Sequence, residues 1–175
     1  MLGYSNGVQQ ATDLDTIRAL LPGCLDVVKT DILADKSGVD YVATLRRGAQ
    51  VFIDAKTRQP GARKFWKDGA PEIALELWSV LPNNGAPGKA GWTLSESSPV
   101  DYILYTFDPA DCDRVFLYPF QLLRLTFRNN VTDWRKRYRP QIQSSGGWQS
   151  QCLFVPEHVV WTAMRDVVSQ TALFF

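Results

Sequence analysis

The chain has 175 residues, 45% hydrophobic and 21% charged, with a formal net charge of +1. It is long enough to bury a core and is expected to form a single domain over residues 1–175. No apolar run reaches the ~18 residues of a membrane span, and Met1 to Asn6 lacks the basic and apolar parts of a secretory signal, so no membrane partner is expected. Cys24, Cys112 and Cys152 are scattered and form no C-x-x-C pair, which suggests buried thiols in a reducing, cytoplasmic setting.

Residues 11–21 read as a short helix with Thr12 or Asp13 at its N-cap, stopped by Pro22-Gly23. Residues 25–29 fit a strand or a helix equally. Residues 39–45 and 50–56 alternate as two half-buried strands around Arg46-Arg47-Gly48. Residues 57–70 form a basic loop, with a helical turn expected at 63–67. Residues 72–80 read as a third strand and 81–91, rich in Pro and Gly, as a loop. Residues 100–107 are nearly all apolar or aromatic, which suits a central strand, and 114–118 form a fifth. Pro119 opens a helix to about Arg128, a second short helix is expected at 133–138, and 152–155 form a last strand. A helix at 156–170 carries Val159, Val160, Ala163, Val167 and Val168 on its apolar face. The expected fold is α/β, a mixed central sheet flanked by helices, with strands 50–56, 72–80 and 100–106 in its middle.

The hairpin holds the main chemical signal. A three-residue loop with Gly48 left-handed sets Leu45 opposite Ala49 and Asp40 opposite Asp54. The strand period of two then puts Lys56 on the face of Asp54. Two carboxylates and an ammonium on one patch suit a divalent cation and an activated water. A two-residue loop at Arg47-Gly48 would instead pair Asp40 with Ala55 and send the carboxylates to opposite faces.

Gly38-Val39-Asp40, a turn, and an apolar strand ending Ile53-Asp54-Ala55-Lys56 resemble the core of the PD-(D/E)XK nucleases, over roughly residues 25–60. The resemblance implies a restriction-endonuclease-like core and a Mg²⁺- or Mn²⁺-dependent nuclease that hydrolyses phosphodiester bonds, with DNA as the expected polymer. Asp40 and Asp54 match the metal-binding acids and Lys56 the motif lysine, and the Ala55 carbonyl is an expected backbone ligand. The family usually carries a further acid, often Glu, on the preceding helix. Here no Glu precedes Glu72, which leaves Asp13, Asp15, Asp26, Asp31 or Asp35 for that place. Resolvase-like members often pair, so a homodimer is among the expected assemblies, and the small size suits a stand-alone phage or mobile-element enzyme.

Other residues carry weaker signals. Glu76, mid-strand between Leu75 and Leu77, faces either solvent or a polar site and is the best auxiliary metal ligand. Asp101 shares that ambiguity. Arg58, Arg63, Lys64 and Lys67 form one basic stretch and Arg135 to Arg139 another, with Arg135 and Arg137 as phosphate-binding candidates. The second stretch also reads as a solvated helix face with Trp134 tucked in. Gly88-Lys89-Ala90-Gly91-Trp92 lacks the spacing of a phosphate loop. The sole histidine, His158, excludes His-rich zinc chemistry. The rival reading is a catalytically inactive nuclease-like module that binds nucleic acid or protein, such as an inhibitor of a host defence system.

Overall fold

A computed structural model describes residues 13–31, 38–83, 87–145 and 148–172. The chain divides into two compact units, residues 1–58, 99–109 and 113–120 in one and residues 59–98, 110–112 and 121–175 in the other.

Among the described residues, the first unit begins with helix α1 (13–20). Strands β1 (Cys24–Lys29), β2 (Tyr41–Leu45), β3 (Gln50–Thr57), β6 (Tyr102–Thr106) and β7 (Phe116–Pro119) form a sheet in the order β1-β2-β3-β6-β7. Only β3 and β6 run parallel, so the sheet is mixed, as expected. The ambiguous segment 25–29 is the edge strand β1. One face packs Tyr41, Ala43, Ile53 and Leu104 against Ile17 and Leu21 from α1 and its end. The other face carries an aromatic row in which Tyr105, Phe107, Phe116 and Tyr118 meet ring to ring at centroid distances of 5.5–6.1 Å. Strand alternation puts Asp54 and Lys56 on that second face, because Asp54 pairs with Ile103 and Lys56 with Tyr105.

The hairpin has the three-residue loop. Tyr41 pairs with Ile53, Thr44 with Gln50, and Leu45 N–H donates to Ala49 O at 2.7 Å. The ladder ends at Tyr41–Ile53, and the next amide, Asp40 N–H, donates to Ile53 O at 2.9 Å, so the expected direct pairing of Asp40 with Asp54 is replaced by this bond. Gly48 is left-handed at φ 78°, and so is Arg47 at φ 76°, a conformation that glycine accepts and a side chain resists.

The second unit corrects the single-sheet expectation. Strand β4 (Glu72–Val80) belongs to a separate antiparallel sheet, with β5 (Lys89–Ala90), β8 (Gln141–Ser145) and β9 (Trp148–Pro156), in the order β5-β4-β9-β8. β5 lies in what reads as loop, β8 in a segment with no expected element, and β9 starts earlier than the strand expected at 152–155. Helix α2 (Phe120–Arg137) is continuous, where two short helices were expected. Leu123, Phe127 and Trp134 make its buried stripe, and that packing outweighs the poor helix formers Asn129, Asn130 and Thr132. Helix α3 (Glu157–Ala172) packs on β9 and β4. Its buried stripe is Val160, Met164 and Val167, while Val168, expected on the apolar face, is exposed. No helix among the described residues is long and apolar enough to cross a membrane.

Candidate active site

Asp40 sits where the chain enters β2, one residue before the first ladder pair. Its amide donates to Ile53 O at 2.9 Å and its Oδ2 accepts from Ala55 N–H at 2.7 Å. The side chain thus caps the edge of β3 just past the point where β2 begins. In a strand the N–H and C=O of one residue point to the same edge, so the Ala55 carbonyl shares the edge that Asp40 occupies.

Asp54 is 5% exposed, a buried acid in an apolar strand. Its Oδ1 accepts from Lys56 Nζ at 2.6 Å, the ion pair that the two-residue spacing on one strand face produces. Burial pushes the Asp54 carboxyl up to about 7, from an ordinary 3.8. Lys56 opposes that rise by its charge and its hydrogen bond, whereas Asp40 adds to it by charge and by a side-chain hydrogen bond. Asp40 lies near enough for its charge to act on Asp54, while its own Oδ2 is bonded to the Ala55 amide. A cation beside Asp54 would offset the charge that burial disfavours.

The remaining acids have other positions. Asp13, on α1, accepts from the Tyr41 hydroxyl at 2.9 Å on the opposite, α1-covered face of the sheet. Asp15 and Asp26 both meet Arg18, Asp31 is exposed, and Asp35 lies outside the described residues. Asp101 precedes β6, and its carboxylate accepts from Phe52 N–H at 2.8 Å. Glu76 is on β4 in the second unit. Its Oε2 accepts from Ser79 Oγ at 2.6 Å and from Trp92 N–H at 3.1 Å, which caps the turn at Trp92–Leu94. Among the described residues no three His, Cys, Asp or Glu side chains form a group that could hold a metal ion. The oxygen donors gathered on β3 and its neighbour are thus Asp40, Asp54 and the Ala55 carbonyl.

Arg58 follows β3 and is half-buried. Arg63, Lys64 and Lys67 are exposed on turns of the second unit, and Arg135 and Arg137 are exposed at the end of α2. One relation was not legible in the sequence. Lys67 Nζ and Arg137 Cζ approach the same ring, Tyr138, at 5.5 and 5.8 Å from its centroid. Its only sequence signal was basic and aromatic residues alternating in both stretches.

No family model, curated protein or solved structure matches this chain.

Proposed function

We propose that the protein is a Mg²⁺- or Mn²⁺-dependent hydrolase of phosphodiester bonds in nucleic acid, DNA foremost, with Asp40, Asp54 and Lys56 at the reacting centre. The observation that carries this reading is the buried carboxyl of Asp54, pushed up to about 7 by burial, with Lys56 bonded to it at 2.6 Å on the same face and Asp40 bonded to the amide of the next residue, Ala55, at 2.7 Å. The donor set fits a hard cation. Mg²⁺ is commonly held by one or two carboxylates, with water and substrate phosphate filling its other positions. Asp40, Asp54 and the Ala55 carbonyl supply oxygens only. When bound, the cation supplies charge to the scissile phosphate and lowers the pKa of the attacking water.

The residues of the chain divide the remaining work. Asp40 and Asp54 orient the water through their free oxygens, and Asp40 stays aligned through its bond to the Ala55 amide. Lys56 swings from Asp54 toward the phosphoryl oxygens, where its charge stabilises the transition state, and a third of its side chain is already solvent-exposed. Arg58, two residues after Lys56, supplies a cation for the phosphate backbone beside the reacting centre, and Arg63, Lys64, Lys67, Arg135 and Arg137 are the second unit's own candidates for phosphate.

A second reading has its own support. Asp54 and Lys56 satisfy each other at 2.6 Å, and no third acid joins the pair among the described residues. A non-cleaving module that binds nucleic acid or protein needs nothing more. One experiment separates the two. Wild type and Asp54→Ala are incubated with labelled DNA and RNA in Mn²⁺, and cleavage and gel shift are scored together. The nuclease reading expects cleavage by wild type alone. Binding without cleavage by both proteins, on every substrate, supports the module.

A further inference from the structure

We propose that Phe65, with Lys64 against its ring and Lys67 and Arg137 on the Tyr138 ring, forms with them a stacking and phosphate-gripping platform for single-stranded nucleic acid. The proposal rests on the nucleic-acid reading for its ligand class, but not on cleavage.

The second unit contains two basic stretches far apart in sequence. Residues 59–67 hold three cations and no acid, and residues 135–139 hold four cations and no acid. Tyr138 joins them. Its ring is buried, 8% exposed, and therefore fixed, and Lys67 and Arg137 both lie against it. Cations on a ring face gain from its quadrupole, yet two positive charges on one ring still repel each other. None of the ion pairs among the described residues uses Arg63, Lys64, Lys67 or Arg137. A phosphodiester backbone supplies the missing negative charge.

Phe65 supplies the other half. It is 67% exposed, with Lys64 Nζ 4.9 Å from its ring centroid. The segment that presents it is anchored on both sides. Ala62 N–H donates to Asp111 Oδ2 at 2.8 Å, Trp66 N–H to Arg63 O at 3.2 Å, and Lys67 N–H to Glu72 Oε1 at 3.3 Å. Gly61, at φ 77°, sets the turn that starts it. Phe65 is two residues from Lys67, so at most ~7 Å separates their Cα atoms. An apolar ring held in water beside cations that grip phosphates is the arrangement on which unpaired bases stack. A duplex offers no such face, because its bases are already stacked on one another.

The test is fluorescence anisotropy on the full chain in EDTA, which removes divalent cations and so prevents cleavage. The probes are one labelled DNA sequence as a single strand and as a duplex, and the same sequence as single-stranded RNA, each longer than a site of roughly 4–16 nucleotides. The single strand is expected to bind more tightly than the duplex. Phe65→Ala is expected to weaken single-strand binding about tenfold and Phe65→Trp to retain it. Lys67→Ala with Arg137→Ala is expected to lower the slope of log Kd against log salt by ~1.4. Thermal melts confirm that each variant is folded. Tighter duplex binding, equal binding by Phe65→Ala, or no binding to any probe overturns the proposal. The RNA arm reports whether the sugar is read. Phe65-dependent binding without cleavage in Mn²⁺ sinks only the nuclease reading, and cleavage that ignores Phe65 sinks only this one.

Discussion

Asp54 and Glu76 begin alike and end differently. Each is a lone acid in an apolar strand, one in Ile53-Asp54-Ala55 on β3 and the other in Leu75-Glu76-Leu77 on β4. Glu76 is met by two neutral donors, a serine hydroxyl and a backbone amide, and its role is the local turn that it caps. Asp54 is met by an ammonium, with the charge of Asp40 nearby, and burial leaves it short of compensating charge. The character of a strand acid is thus decided by what the neighbouring strand brings to it. Glu76 is a finished structural contact, whereas Asp54 gains from any added cation.

The largest expected effect is on chemistry. Asp54→Ala and Asp40→Ala should each remove Mn²⁺-dependent cleavage, and EDTA should do the same to wild type. Lys56→Ala should slow cleavage by about 10²-fold, while Mn²⁺ still raises its melting temperature. Cleavage unaffected by Asp54→Ala would place Asp54 with Glu76 as a structural acid.

The next effect is on stability against pH. Asp54 keeps its proton in the folded state up to about 7, but loses it near its ordinary 3.8 when unfolded. The folded state therefore binds more protons between those values. Stability from this group is full below about pH 4 and is lost as pH rises toward 7, a loss on the order of a few kcal/mol. Asp54→Asn should melt above wild type at pH 8, and the difference should shrink at pH 5. Lys56→Ala should move the Asp54 titration higher, since Lys56 holds it down, and Asp40→Asn should move it lower. Carbon-detected NMR of the Asp54 carboxyl across pH checks both directions.

Smaller effects belong to the Glu76 side. A Cβ at Gly91 would sit 2.1 Å from Glu76 O, so Gly91→Ala should cost about 3 kcal/mol or more in a urea melt. Glu76→Ala should cost only about 1–2 kcal/mol, by unpairing Ser79 and the Trp92 amide. Neither variant should change the Mn²⁺ affinity measured by calorimetry. Loss of Mn²⁺ binding in Glu76→Ala would return Glu76 to the metal site.

The hairpin was legible because its information is local. Loop length, a glycine suited to the left-handed position and alternation over 40–56 together fix which side chains face each other. Partner choice over long distances was not. β4 pairs with β9, Glu72 with Pro156, across nearly half of the chain, and the alternation of Ile73, Leu75 and Leu77 reports a buried face without naming the strand beside it. β8 stayed invisible because Gln141 to Ser144 is mostly polar and exposed, with no alternation to read. The join in α2 was hidden by Asn129, Asn130 and Thr132. Asn130 even donates to Thr126 O at 2.9 Å, a bond back to the preceding turn, and the helix persists through the burial of Phe127 and Trp134. The roles of Glu76 and Asp101 depended on donors at Trp92 and Phe52, remote positions that strand pattern does not encode.

The account turns on whether Asp40 and Asp54 share a cation. An anomalous difference map from crystals soaked in Mn²⁺ tests this most directly. The account predicts one strong peak with an oxygen of each carboxylate in its coordination shell, about 2.0–2.6 Å away as for hard cations, and the Lys56–Asp54 contact loosened. An intact 2.6 Å ion pair with no peak beside it would contradict the account and leave the trio as a structural cluster.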